Sequence, residues 1–332
     1  MTIEDRINNS ESKLLCCGVQ VSQPKGRAVS RLMGMLAAFP VALTLPVDAL
    51  QVQVSPSNPR LGDTLSVVIN LDNPSTDNLQ PTTENPQPST ENPQSITDNH
   101  PGVAIGEKTY PTFEIAPKQY RAFIPTTPLE KPGIRTIQIT GDGQVQNLPV
   151  RVRNRTFPVQ RINLPPGKAG VEATEFELKR VAAFKALQTP EKYWSGVFLK
   201  PNAGRMSTKF GVRRYYNGKF AEDYYHRGLD YAGATGSPVI APAAGRVALV
   251  GTVSQGFRVH GNVIGIDHGQ GVTSIFMHLS RINVQEGDLV KAGQKIGAVG
   301  ATGASTGPHL HWGLYVNGLS IDPIPWQTKV FN

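Results

Sequence analysis

The sequence predicts a mainly β chain built as two units with one linking amphipathic helix, and three observations carry that prediction. Short alternating or β-branched segments recur from residue 50 onward, set apart by Pro, Gly, Asn and Asp. One stretch, TEFELKRVAAFKAL, repeats its apolar residues at helical spacing instead. A length of 332 residues, 39% of them apolar, suits two cores better than one.

Residues 1–49 read differently. Arg27 and Arg31 precede the apolar run LMGMLAAFPVALTLP, and VDA follows where a signal peptidase could cut after Ala49, so this segment is expected to be a signal peptide. The run is shorter than the roughly 20 residues that a spanning helix needs. Its removal would leave an exported protein, in the periplasm or cell envelope, without a stable membrane span. Both cysteines, Cys16 and Cys17, lie in this segment. The mature chain would then lack thiols, which excludes a disulfide framework, a thiolate nucleophile and Cys-ligated zinc.

Residues 50–157 contain LQVQV, TLSVVINL, TFEIA, YRAFI, IRTIQIT and LPVRVR, the pattern of a small β-sandwich. Its opening, PSNPRLGDTLSVVINL, resembles the first two strands of Ig-like domains. Inside this unit PSTDNLQ, PTTENPQ, PSTENPQ and SITDNHP form tandem seven-residue repeats over 74–101, with four acidic residues and no basic one. They lack apolar heptad positions and contain proline, so a disordered loop at a hairpin tip is expected in place of a coiled coil, with His100 inert.

Residues 158–194 make the connection. Thr174 and Glu177 form a capping box, and Phe176, Val181, Phe184 and Leu187 can share one helical face before Pro190 ends the segment. From residue 195 onward, short strands alternate with glycine-rich turns.

Every histidine except His100 lies in this last region. HRGLD places His226 and Asp230 four apart, SIFMHLS puts His278 at the end of an apolar strand, and GPHLHWG sets His309 and His311 on one face of a strand. Nitrogen and oxygen donors without sulfur suit Zn²⁺, and three protein ligands plus a water make a catalytic site. Spacing alone leaves open which histidines bind the metal. His260 and His268 stand in turn-like contexts and read as structural or solvent-exposed.

Three segments resolve this through a resemblance. YYHRGLDYAGATGSPVIAPAAGRVALVG, IDHGQGVTSIFMHLSRI and VGATGASTGPHLHWGL occur in order, and with them residues 195–326 resemble the catalytic domain of lysostaphin-type (LytM-type) zinc metallopeptidases, which cleave peptidoglycan peptides. The resemblance implies one zinc held by His226, Asp230 and His311, with His309 and His278 beside the metal-bound water. It makes His309 the expected general base and gives His278 the task of orienting water or stabilising the tetrahedral intermediate. Phe276 stands where many relatives have Tyr, so a hydroxyl from that position is absent. GSPVIAPAAGRVALVG and EGDLVKAGQKIGAVG look like the halves of a biotinyl/lipoyl-type hybrid barrel, an architecture these domains share; a carrier role would need a Met-Lys-Met triplet, and none occurs.

The expectation is an exported zinc metalloendopeptidase with peptidoglycan as substrate. Its competitors are a latent or non-catalytic wall-binding protein, an activator of another wall hydrolase, and a carboxypeptidase using similar ligands. The net charge of +8 favours anionic surroundings such as a cell wall or membrane surface. No basic run interleaved with aromatics, recognition-helix signature or P-loop occurs, so nucleic acid is not an expected partner.

Overall fold

The computed structural model describes residues 50–71, 100–163 and 171–331. The expected signal peptide lies outside them, as do the repeats up to residue 99. Among the described residues no helix is long and apolar enough to cross a membrane. The chain is mainly β, as its patterning predicts.

The first unit consists of β1 (Gln51–Ser55), β2 (Thr64–Asn70), β3 (Gly102–Ile105), β4 (Lys108–Tyr110), β5 (Thr112–Ala116), β6 (Gln119–Pro125), β7 (Gly133–Gly141) and β8 (Gln144–Val152). These form two four-stranded antiparallel sheets, in the orders β1-β2-β6-β5 and β4-β3-β7-β8. Alternation along β2 and β6 sends Leu65, Val67, Ile69, Ala122 and Ile124 inward, where they share a core with Val103, Ile137 and Ile139 of the other sheet. The strands β2 and β3 belong to different sheets. The strands on either side of the repeats are therefore not paired as the expected hairpin.

The second unit begins with β9 (Val159–Ile162) and α1 (Glu175–Lys185). It continues through β10 (Arg205–Thr208), β11 (Arg213–Tyr216), β12 (Lys219–Phe220), β13 (Leu229–Ala232), β14 (Pro238–Ile240), β15 (Gly245–Gly251), β16 (Val263–Gly269) and β17 (Val272–Met277). After these come β18 (Arg281–Ile282), β19 (Leu289–Val290), β20 (Lys295–Ala298), β21 (His309–Val316), β22 (Leu319–Ile321) and α2 (Pro323–Thr328). The main sheet runs β10-β13-β21-β17-β16-β15-β19, with β22 added to β21. Small sheets β14-β20-β18 and β12-β11-β9 flank it. The stretch read as a connection thus also supplies a strand, for β9 pairs in parallel with β11.

All seven residues of β16 are buried because both faces of the main sheet are covered. Ile264 and Ile266 face the larger core with Phe276, Leu310 and Trp312. Val263, Leu249 and Ile275 face α1 and meet its Val181 and Phe184. Gly265 makes room for this helix, since a Cβ there would stand 2.6 Å from the Phe184 ring. Phe176 is half exposed, with its ring 5.9 Å from that of Phe257, so the buried face of α1 is narrower than its sequence suggests.

The two units share packing. Along β6, Arg121 and Phe123 point away from the first core. Phe123 packs among Trp194, Trp326 and Phe331, with ring centroids 6.2, 5.6 and 6.1 Å away. The Arg121 guanidinium lies 4.8 Å from the Phe123 centroid and donates to Gln270 Oε1. Asn317 Nδ2 donates to Phe123 O at 2.8 Å, and Arg155 pairs with Asp322 at 2.6 Å.

His268 lies in β16, not in a turn, and is fully buried; of the turn-like DHGQG only Gln270 and Gly271 form the turn. Its Nδ1 donates to Ala244 O at 2.8 Å and its Nε2 meets the Ser274 hydroxyl at 2.9 Å. Burial pushes this imidazole down to about 4. The folded value lies below the unfolded value of about 6.5, so the stability contributed by neutral His268 is complete above that pH and is lost as pH falls towards 4, up to about 3 kcal/mol. The urea midpoint is expected to fall across this window, and less steeply in His268→Gln. An undiminished slope in that variant would assign the effect to other groups.

Candidate active site

Strand register builds the site. β21 lies between β13 and β17, with His311 opposite Asp230 on one side and opposite Met277 on the other. His309 shares the face of His311 and stands opposite Ala232. His226 precedes β13 and is tied down by its backbone, through its N–H to Val212 O at 2.9 Å and its carbonyl to Gly211 N at 2.8 Å.

The side chains of His226, Asp230 and His311 converge, all three buried. His226 Nε2 lies 3.0 Å from Asp230 Oδ1 and 3.1 Å from His311 Nδ1, and His311 Nδ1 lies 3.0 Å from the same Oδ1. The Nδ1–H of His226 donates to Lys209 O at 2.9 Å, which leaves the Nε2 lone pair facing the cluster. Burial pushes the His311 imidazole down to about 4, so it is neutral and able to ligate. For Asp230, burial alone would favour the protonated form, but the close approach of His226 and His311 outweighs it and holds the carboxyl well below the usual range. A buried carboxylate facing two imidazole lone pairs is a costly arrangement that a divalent cation satisfies. The N₂O donor set fits zinc.

Two further histidines stand beside this cluster. His278 follows β17 with φ of +65°, a left-handed conformation uncommon for a side chain with a Cβ. Its Nδ1–H donates to Thr302 O at 2.8 Å, and its ring lies 4.9 Å from that of His309. Burial, followed by the neighbouring imidazoles of His309 and His311, pushes the His278 imidazole down to about 3. His309 keeps 19% of its side chain exposed; its Nδ1–H donates to Gly307 O at 2.8 Å, and its Nε2 lies 3.9 Å from Asp230 Oδ1. The five residues singled out in the sequence therefore occupy one place.

His260 and His268 stay outside this group, and both are buried, which removes the solvent-exposed alternative for each. Sequence reasoning missed the carbonyls of Lys209, Thr302 and Gly307, because a backbone acceptor has no residue-type signature. Gly228 was also missed. A Cβ there would stand 2.3 Å from Trp312 O and 2.8 Å from His311 Nε2.

A mainly β domain here holds two histidines and an aspartate in one buried cluster that could bind a metal ion. Residues 224–323 match the family model Peptidase family M23. The lysostaphin-type resemblance read from three motifs is thereby borne out. Lysostaphin from Staphylococcus staphylolyticus is 43% identical over 106 residues, which cover 30% of this chain and 22% of that protein. The DD-carboxypeptidase/endopeptidase Mpg of Neisseria meningitidis is 41% identical over 99 residues, 30% of this chain and 22% of that one. The chain thus matches under a quarter of the length of these curated relatives. A crystal structure from Pseudomonas aeruginosa described as a peptidase M23 superposes with a TM-score of 0.53 at 28% identity, covering 70% of this chain and 88% of that one.

Gly228→Ala is expected to weaken zinc binding by about 10- to 100-fold through displacement of His311, with far-UV circular dichroism unchanged. Zinc titration monitored by a competing chelator measures this, and parental affinity would show that the crowding relaxes elsewhere.

Proposed function

We propose that the chain is an exported zinc endopeptidase that hydrolyses the peptide cross-links of peptidoglycan. The observation that carries this reading is the convergence of His226 Nε2, Asp230 Oδ1 and His311 Nδ1 within about one hydrogen-bond length of one another, beside two further imidazoles. The names of the relatives support the substrate class. The reading takes 1–49 as the signal peptide, 50–157 as an Ig-like sandwich, 158–194 as the connection and 195–332 as a hybrid-barrel peptidase domain. The peptidoglycan wall is anionic in this reading and suits the net charge of +8.

His226, Asp230 and His311 would hold the zinc. When bound, zinc supplies Lewis acidity, which lowers the pKa of water towards neutrality and polarises a carbonyl. His309 is the general base: with Nδ1–H committed to Gly307 O, its Nε2 lone pair takes the proton from attacking water and returns it to the leaving amine. His278 is neutral and donates its one N–H to Thr302 O, so its Nε2 can only accept. It therefore orients the attacking water, and the alternative role as a donor to the oxyanion does not suit this tautomer.

Contacts of the first unit lie both at the far end of β21 and near His226, where Phe157 packs on Phe210 and against Gly211, whose N–H bonds His226 O. Asn317, which bonds Phe123, lies six residues beyond His311, roughly 20 Å along the strand.

The test incubates residues 50–332 with purified peptidoglycan, with and without chelator, and identifies released fragments by mass spectrometry. Chelator-sensitive loss of cross-linked dimers is expected and would also identify the bond. His309→Ala should keep its zinc and lose about 10²- to 10⁴-fold in kcat, whereas His311→Ala should lose both zinc and activity. Intact cross-links in the presence of stoichiometric zinc would overturn the enzymatic reading.

A further inference from the structure

We propose that Glu177, on α1 and outside the segment matched to the peptidase family, is a positioning residue that holds His278 in its working orientation. The inference rests on the reading of His278 as a residue of the reaction site.

Glu177 is a carboxylate with 0% exposure. In a capping box this residue ordinarily turns back to the N-cap amide. Here that bond, from Thr174 N, is the longest it makes at 3.4 Å. Its shorter bonds reach across to another part of the chain, from the backbone N–H groups of Arg258, Val259 and His260 at 2.9, 3.1 and 2.7 Å and from His260 Nδ1 at 2.6 Å. Three consecutive amides and an imidazole thus converge on one buried carboxylate, which fixes the 258–260 loop against α1.

That loop in turn grips the neighbourhood of His278. His260 O accepts the backbone N–H of His278 at 3.0 Å, and Val259 O accepts that of Ala304 at 3.0 Å. Asn262 bonds Thr302 Oγ1 through its backbone N–H at 2.9 Å and Leu279 O through its side chain at 3.0 Å. Thr302 O receives the imidazole N–H of His278 at 2.8 Å. Close packing allows little slack, for a Cβ on Gly303 would stand 2.4 Å from Gly261 N. The left-handed backbone of His278 needs such a restraint, because an ordinary side chain gains nothing from that conformation on its own. Removal of the carboxylate leaves three buried amides without an acceptor, and the loop is freed to satisfy them elsewhere.

The experiment compares the parent with Glu177→Gln, using Thr174→Ala as a control that removes the α1 cap and the Thr174 Oγ1 bond to Gly256 O but leaves the carboxylate in place. The first readout needs no activity: hydrogen exchange by mass spectrometry, on zinc-free protein, of the peptide containing the His278 amide. Exchange there is expected to quicken by about tenfold or more in Glu177→Gln and to stay near the parental rate in Thr174→Ala. The second readout is turnover, where kcat should fall about 10- to 100-fold in Glu177→Gln with KM and zinc content unchanged. Parental exchange and kcat in Glu177→Gln would overturn the proposal. Equal losses in Thr174→Ala would also overturn it, because helix stability would then account for them. If Glu177→Gln does not fold, Glu177→Asp, one methylene shorter, takes its place under the same criteria. Failure of the parent to cleave peptidoglycan would sink the functional reading alone, and the exchange comparison would still decide the role of Glu177.

Discussion

Control of imidazole tautomers is the constraint on which the centre depends. A neutral imidazole has one lone pair, and the nitrogen that keeps its proton cannot ligate or act as a base. Carbonyls of Lys209, Thr302 and Gly307 take the Nδ1 protons of His226, His278 and His309. Three rings are thereby committed to present Nε2. His311 is the exception and enters the cluster through Nδ1, its Nε2 buried without a partner among the described residues. The main sheet supplies the rest, since its register alone brings Asp230 opposite His311. Chemistry at this site is therefore set by backbone geometry as much as by the residues that perform it.

Side-chain chemistry was the legible part. His226, Asp230, His278, His309 and His311 could be picked out because a rare residue type recurs at strand spacings in a glycine-rich region. The α1 helix was readable from its cap, and Thr174 and Glu177 do make the capping box. The β3–β4 hairpin escaped notice because its strands have four and three residues, too few for alternation to show. The strand β9 escaped because it is paired in parallel with a partner far along the sequence. His268 was misread because it occupies the end of β16, where the glycines that follow suggest an earlier turn.

Glu177 illustrates a different limit. Its capping role is local and visible in the sequence, whereas its bonds to residues 258–260 depend on how α1 docks on the sheet. The docking depends on Gly265, whose missing side chain accommodates Phe184. A residue can thus satisfy a local rule and perform a distant task with the same atoms.

Phe123 and its neighbours on β6 have a consequence for how the molecule comes apart. A strand whose alternate side chains belong to two cores cannot leave one without opening the other, since Ala122 and Ile124 seal the first while Phe123 joins the aromatic cluster of the second. Trp194, Phe198 and Phe331, which complete that cluster, lie beyond the bounds of the matched peptidase segment. Loss of the first unit would strip cover from those aromatic rings. Damage to the front of the molecule is then felt in the second unit as lost packing around those rings.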